Sequence, residues 1–379
     1  MILLIVSCLQ VRAIIVDPFV RLPKDSLQRL VLVRSLDSFL VWGTNQASSD
    51  KYLFAEERLE TLVLLEEMKD IEKSGKYRNE KFYKPYLNSV RLLPDSSYLL
   101  RVSYLGIAGD TALLRAGFDI LAHYNGSGFS FSSPLKYRTA KWQTVSTADA
   151  IFHFKDSIDR NSLDRYVQTI KKFDRKLGRQ HQILEMYLGT DAVEMQHVMG
   201  LDYKLDYNGA SEISFSSSHN NRQLTIAACP WGYLDFDPHD LWHSRLAKSK
   251  LVPVVNRPVD EGCAYLYGGS WGLSWQVIYR RFKEKVASNR STDWAKIKEQ
   301  PLNFSDNEAE PLMADYVVNA LIIHKIEKEK GFMAATALLG CGKPEAGNAN
   351  YYSALERLTG IGRDNYNKEV WKLIDSYEP

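Results

Sequence analysis

The sequence predicts an α+β chain, and three observations carry that prediction. Apolar residues recur at helical spacing from Leu53 to Glu72. A stretch rich in Tyr, Val, Leu and Phe, broken by turn signals, runs from Ser97 to Phe154. From Pro238 onward the pattern is almost wholly helical. In the first segment Leu53, Phe54, Leu59, Leu62, Val63, Leu64 and Met68 stand among Glu and Lys, which predicts one amphipathic helix. In the second, Tyr98 to Tyr104 and Phe129 to Phe131 have strand composition, and Asn125-Gly126 is a turn signal.

A strand is expected at Ala150 to Phe154, a charged helix from Asn161 to Lys176, and further strands near Gln182 to Leu188 and Gln223 to Ala228. Trp275 to Ala287, Glu310 to Lys328 and Asn367 to Tyr377 are the clearest of the later helices. The expected organisation is a helix-plus-antiparallel-sheet module over residues 14–149, then a domain over residues 150–379 in which a small mixed sheet leads into a helical half.

At 379 residues and 45% hydrophobic content, the chain is long enough for two cores. Its 48 basic and 46 acidic residues leave a net charge of +2, without the clustered Lys and Arg that phosphate binding needs, so nucleic acid is not an expected partner. Met1 to Val6 is far shorter than the roughly 20 residues of a spanning helix. No transmembrane span is expected. Residues 1–13 read instead as a signal remnant: Ile2 to Leu9 is an apolar h-region and Val11-Arg12-Ala13 a cleavage site, although a basic n-region is missing. Ile5-Val6-Ser7-Cys8 also has the form of a lipoprotein box. The expectation is an exported protein beginning near Ile14 or lipidated at Cys8, the alternative being a cytoplasmic protein whose first strand is apolar. The four cysteines, Cys8, Cys229, Cys263 and Cys341, show no C-x-x-C spacing, and if Cys8 leaves with a signal the odd three that remain read as buried free thiols.

The chemistry concentrates in Asp237-Pro238-His239-Asp240-Leu241-Trp242-His243. Asp237 is a candidate N-cap and Pro238 suits a first helical turn, so His239 and His243 fall at i and i+4 on one helix face. Two imidazoles so spaced can converge on one divalent ion. Eighteen residues beyond His243 comes Asp260-Glu261-Gly262-Cys263-Ala264, opened by Pro258. Glu261 can complete a two-nitrogen, one-oxygen ligand set whose fourth position stays open, as in catalytic zinc sites.

His239-Asp240-Leu241-Trp242-His243 with Asp260-Glu261-Gly262-x-Ala264 resembles the gluzincin metallopeptidases, the superfamily of thermolysin and aminopeptidase N. There the pattern is H-E-x-x-H followed by a glutamate in an N/D-E-G-x-A context. The likeness spans roughly residues 150–378 and is sharp over 237–272. It implies a gluzincin-like domain, a Zn2+ ion held by His239, His243 and Glu261, and hydrolysis of a peptide or protein substrate. It also implies that Leu224 to Ala228 is the sheet edge on which an extended peptide lies. Asp240 stands where the family has its glutamate general base, one carbon–carbon bond shorter, about 1.5 Å. Either the site has contracted around an aspartate, or the chain keeps the metal and binds an extended peptide or protein with little or no catalysis.

The neighbouring residues have plainer readings beside these. The histidines could be a half-buried helix pair, and Asp240 and Glu261 first-turn acids favoured by the helix dipole. Tyr265 reads as core or as a partner that orients a ligand. Tyr316 and His324 lie on a downstream helix, where gluzincins often place an oxyanion donor. Gly268-Gly269-Ser270 lacks the rest of a phosphate loop and reads as a turn. An HD phosphohydrolase, in which His239 and Asp240 together would ligate metal, leaves Glu261 without a role and does not suit the strand-rich residues upstream.

Overall fold

The computed structural model describes residues 14–45, 50–155, 157–179, 182–228 and 236–378. The signal reading of residues 1–13, with Cys8, and the thiol of Cys229 lie outside the described residues. In chain order the elements are β1 (Ile15–Val16), α1 (Ser26–Asn45), α2 (Arg58–Met68), β2 (Lys84–Leu92), β3 (Tyr98–Ala108), β4 (Thr111–Tyr124), β5 (Phe129–Ser132), α3 (Leu135–Arg138), β6 (Gln143–Ser146) and β7 (Ala150–Phe154). There follow α4 (Arg160–Lys176), β8 (Ile183–Gly189), α5 (Ala192–Met199), β9 (Leu201–Lys204), β10 (Ile213–His219) and β11 (Arg222–Ala228). Helices complete the described chain: α6 (Pro238–Ser249), α7 (Arg257–Gly268), α8 (Trp275–Lys285), α9 (Trp294–Glu299), α10 (Ala314–Lys330), α11 (Phe332–Leu339), α12 (Ala349–Thr359) and α13 (Tyr366–Ser376).

The α+β expectation holds. The chain forms two compact units, Met1–Ile158 with Gln182–Tyr233, and Asp159–His181 with Leu234–Pro379. This division differs from the break expected between residues 149 and 150. The reason is hydrogen bonding: β6, β7, β8 and β11 belong to one sheet, so they stay together in the first unit while α4 alone leaves for the second.

The first unit holds both sheets. One is ordered β1-β2-β3-β4-β5 with β9 added to β4, and is antiparallel except for the β1–β2 pair. The other is mixed, ordered β10-β11-β8-β7-β6, with parallel pairs at β11–β8 and β8–β7. Residues 224–228 are therefore not an edge. Every residue from Gln223 to Ala228 is buried, as in a strand covered on both faces, and β10 pairs antiparallel outside it. The edges are β10 and β6. In β10, Ile213 and Phe215 turn inward while serines alternate outward, a polar strand texture that the apolar count alone passes over.

The single helix expected from Leu53 to Glu72 is broken. Phe54 is extended, with φ −72° and ψ 113°, because its N–H donates to the Phe131 carbonyl at 2.9 Å. Regular helix starts only at Arg58, and the chain turns at Asp70, where φ is +56°. Helix α1, absent from the sequence reading, buries Leu32, Leu36, Phe39 and Leu40 on one stripe. No helix among the described residues is long and apolar enough to cross a membrane.

The second unit is helical, and its core fixes α6. Trp242 is fully buried, edge-on to Phe173 of α4 at 5.4 Å and tilted on Tyr267 of α7 at 4.8 Å. Arg245, also buried, grips Asp174 of α4 through two hydrogen bonds of 2.8 and 2.5 Å. Helix α7 packs closely on α10. A Cβ on Gly262 would lie 2.8 Å from the Ala320 backbone nitrogen, so only glycine allows this approach.

Candidate metal centre

The site is built from the first two turns of α6 and α7. Asp237 caps α6, its carboxylate accepting from the His239 N–H at 2.8 Å, and Pro238 occupies the first turn, where it removes no helical hydrogen bond. The i, i+4 spacing then puts both imidazoles on the face toward α7. The end of α7 reaches the start of α6 through Gly268: a Cβ there would sit 2.6 Å from the His239 nitrogen. Gly269 follows with φ +81°, and its carbonyl points at His239. The two glycines are thus a helix-packing device and not a phosphate loop.

Each histidine is held at Nδ1 by an acceptor outside the cluster and turns Nε2 toward the other ring and Glu261. Nδ1 of His239 lies 2.8 Å from the Gly269 carbonyl, and Nδ1 of His243 lies 2.8 Å from Oδ2 of Asp260. A carbonyl and a carboxylate only accept, so both Nδ1 atoms carry hydrogen, and in the neutral rings that would ligate a metal both Nε2 atoms present lone pairs. Asp260 is held in turn by the Trp242 indole N–H at 3.1 Å. The two Nε2 atoms are 3.2 Å apart, and they lie 3.2 and 3.6 Å from the Glu261 carboxylate oxygens. Three ligands about 2.0–2.2 Å from one tetrahedral ion stand roughly 3.3–3.6 Å apart, and the observed separations match.

The electrostatics are those of a cation site. Two imidazole lone pairs and a carboxylate aimed at one point repel one another unless a proton or metal ion lies between them. Burial opposes charge on His239 and His243, yet their hydrogen bonds outweigh it. His239 is raised by Glu261 and the Gly269 carbonyl, and His243 is raised to about 9 by Asp260 and Glu261. Burial works the other way on Glu261, but hydrogen bonds from both histidines and the charges of His243 and Arg257 hold it well below the usual carboxylate range. Glu261 is thus an anion at any physiological pH. The donor set suits a divalent metal ion of borderline softness.

The other expected residues separate. Asp240 lies between the two histidines in sequence but is exposed, its side chain without a hydrogen bond or ion pair among the described residues. Tyr265 is buried, its ring 5.8 Å from that of His239 and its hydroxyl accepting from the Met313 N–H at 3.2 Å, so it is core and wall of the site at once. Tyr316 packs edge-on to Tyr265 at 5.6 Å, and burial with the charges of Glu261 and Asp315 raises its hydroxyl to about 12. His324 turns elsewhere, edge-on to Tyr377 at 5.0 Å. Cys263 is buried and free, as expected.

Two partners were not foreseen. Asp260 was part of the motif, but its role depends on the tertiary approach of α6 to α7, which no local signal encodes. Arg257, whose guanidinium lies 2.5 Å from Oε1 of Glu261, sits four residues before it, and this helical i, i+4 charge pair was readable. No protein-family model matches the chain, and no curated protein matches it either.

Proposed function

We propose that the chain is a zinc-dependent peptidase of gluzincin type, hydrolysing peptide bonds with water as the nucleophile. The observation that carries this reading is the convergence of His239 Nε2, His243 Nε2 and Glu261 within 3.2–3.6 Å, with both Nδ1 atoms tied back by neighbouring acceptors. A zinc ion held there would lower the pKa of a coordinated water to about 7 and polarise a carbonyl.

The protein's own residues have distinct parts in this reading. The Gly269 carbonyl and Asp260 keep the two imidazoles in the tautomer that ligates, and Asp260 strengthens His243 as a donor. Arg257 helps keep Glu261 ionised. Asp240, exposed on the first turn of α6, is the base that takes a proton from the attacking water and passes it to the leaving amine. Tyr316, packed on Tyr265 beside the site, is the donor assigned to stabilise negative charge on the tetrahedral carbon's oxygen, because its proton stays on to about pH 12.

A second reading rests on the same site: a protein that keeps the metal and binds an extended peptide without cutting it. The shorter reach of Asp240 favours it, since a base displaced by about 1.5 Å can lose on the order of a hundredfold in rate. The test is hydrolysis of a mixed peptide library by the zinc-loaded chain, read by mass spectrometry. Cleavage that disappears with a chelator and with Asp240→Asn supports the peptidase. Intact peptides throughout, with peptide binding retained, support the binding protein.

A further inference from the structure

The first unit carries a cavity of about 500 Å3. Its floor is one face of the antiparallel sheet. Strand register sets Ser89 of β2 opposite Arg101 of β3, Arg91 opposite Leu99, and Arg101 opposite Asp119 of β4, so these side chains project from the same face. The walls are Tyr137 and Arg138 of α3 and His197 of α5. Helix α5 is seated there by its C-terminal Gly200, whose carbonyl accepts from the Asp119 N–H at 2.7 Å.

Three guanidiniums face this space. Asp119, whose side chain is 2% exposed, orders two of them: Arg101 pairs with both its oxygens at 2.8 and 2.9 Å, and Arg138 pairs with Oδ2 and with the His197 carbonyl. Arg101 also reaches Asp202 at 2.9 Å. The Arg91 side chain has no hydrogen bond or ion pair among the described residues. Its fork is free, on a strand position next to guanidiniums already fixed in direction. Tyr137 and Leu99 add an aromatic and an aliphatic surface beside it.

The geometry points to this cavity as a binding site for a small organic anion, with a terminal carboxylate or phosphate monoester held by Arg91 and an apolar body against Tyr137 and Leu99. A guanidinium fork matches either oxyanion with two parallel hydrogen bonds. A metal ion is the competing occupant, because Asp119, His197 and Asp202 offer ligand atoms within 4.8 Å of one another. The arginines decide against it. A cation would have to displace Arg101 and Arg138 from Asp119, and Arg101 from Asp202, in a cavity that already holds positive charge.

The experiment is calorimetric titration of the full chain with benzoate and with phenyl phosphate, in low-chloride buffer. Saturable one-to-one binding of either ligand is expected, and whichever binds more tightly identifies the oxyanion. Arg91→Ala, an exposed position whose loss spares the fold, should weaken binding about tenfold or more. Arg290→Ala, an exposed arginine of the second unit, should leave it unchanged. The proposal is overturned if neither ligand saturates at millimolar concentration, or if Arg91→Ala binds as tightly as the parent. It is equally overturned if the cavity instead takes up a second equivalent of zinc that His197→Ala abolishes.

Discussion

Oδ2 of Asp260 accepts the Nδ1 hydrogen of His243 at 2.8 Å, and this one bond decides which nitrogen the ring offers to Glu261. Asp260 and Glu261 are sequence neighbours at the start of one helix, yet they serve the same imidazole from opposite sides.

The first expectation concerns that bond. Asp260→Asn keeps an acceptor oxygen but removes the charge that makes His243 a stronger donor. Zinc affinity should fall about 10- to 100-fold, measured by competition with a chromophoric chelator, while the circular dichroism spectrum stays that of the parent. Unchanged affinity would show that the Asp260 charge does not strengthen His243 as a donor.

A second expectation tests the close approach of α7 to α6. Gly268→Ala places a methyl 2.6 Å from backbone atoms of Pro238 and His239, which cannot move like a flexible side chain. It should destabilise the protein by about 1–3 kcal/mol in urea unfolding and weaken zinc binding as well, because the Gly269 carbonyl moves off His239. Gly75→Ala, which meets nothing within 4 Å, is the control.

These two residues also mark how far the sequence could be read. Of the candidate ligands, His239 and His243 were legible because i, i+4 spacing puts both on one helix face by a local rule, and Glu261 because it stands in the Asp-Glu-Gly-x-Ala context of a Pro-opened helix that follows them. The strands 150–154 and 183–189 and helix 160–176 were legible within a residue or two from periodicity and composition. What was not legible depends on distant partners. Phe54 is pulled out of helix by Phe131, β10 hides its apolar face among serines, and Asp260 finds His243 only once α6 and α7 pack. The units follow sheet hydrogen bonding between segments far apart in sequence, which a change of texture near residue 150 does not report.

A third expectation separates the base from the ligands. Asp240→Ala should keep bound zinc, whereas Glu261→Ala should lose it. Asp240→Glu then distinguishes the two readings of the short acid, with peptide hydrolysis as the assay. In a site contracted around aspartate the longer acid crowds the water and activity falls. In a site that binds without cutting, the added reach raises hydrolysis from background. No activity in either form would leave only the peptide-binding reading.

A fourth concerns Lys298, buried with its ammonium 3.9 Å above the Tyr351 ring and without a hydrogen bond among the described residues. Burial pushes it down to about 8, below the 10.5 of an unfolded lysine. Between those values the unfolded chain binds more protons than the folded one, so stability rises as pH goes from 8 toward 10. Lys298→Met should remove most of that rise in urea midpoint and be no less stable at pH 7. An equal pH dependence in both proteins would mean that Lys298 is not the group responsible.

The most direct test of the account is the metal content of the folded chain. The full-length protein, dialysed against micromolar zinc and then against metal-free buffer, should retain one zinc per chain by elemental mass spectrometry. His239→Ala, His243→Ala and Glu261→Ala should each retain none, while Asp240→Ala retains it. A folded parent chain that holds no zinc, or one whose zinc survives the loss of Glu261, would contradict the three-ligand centre.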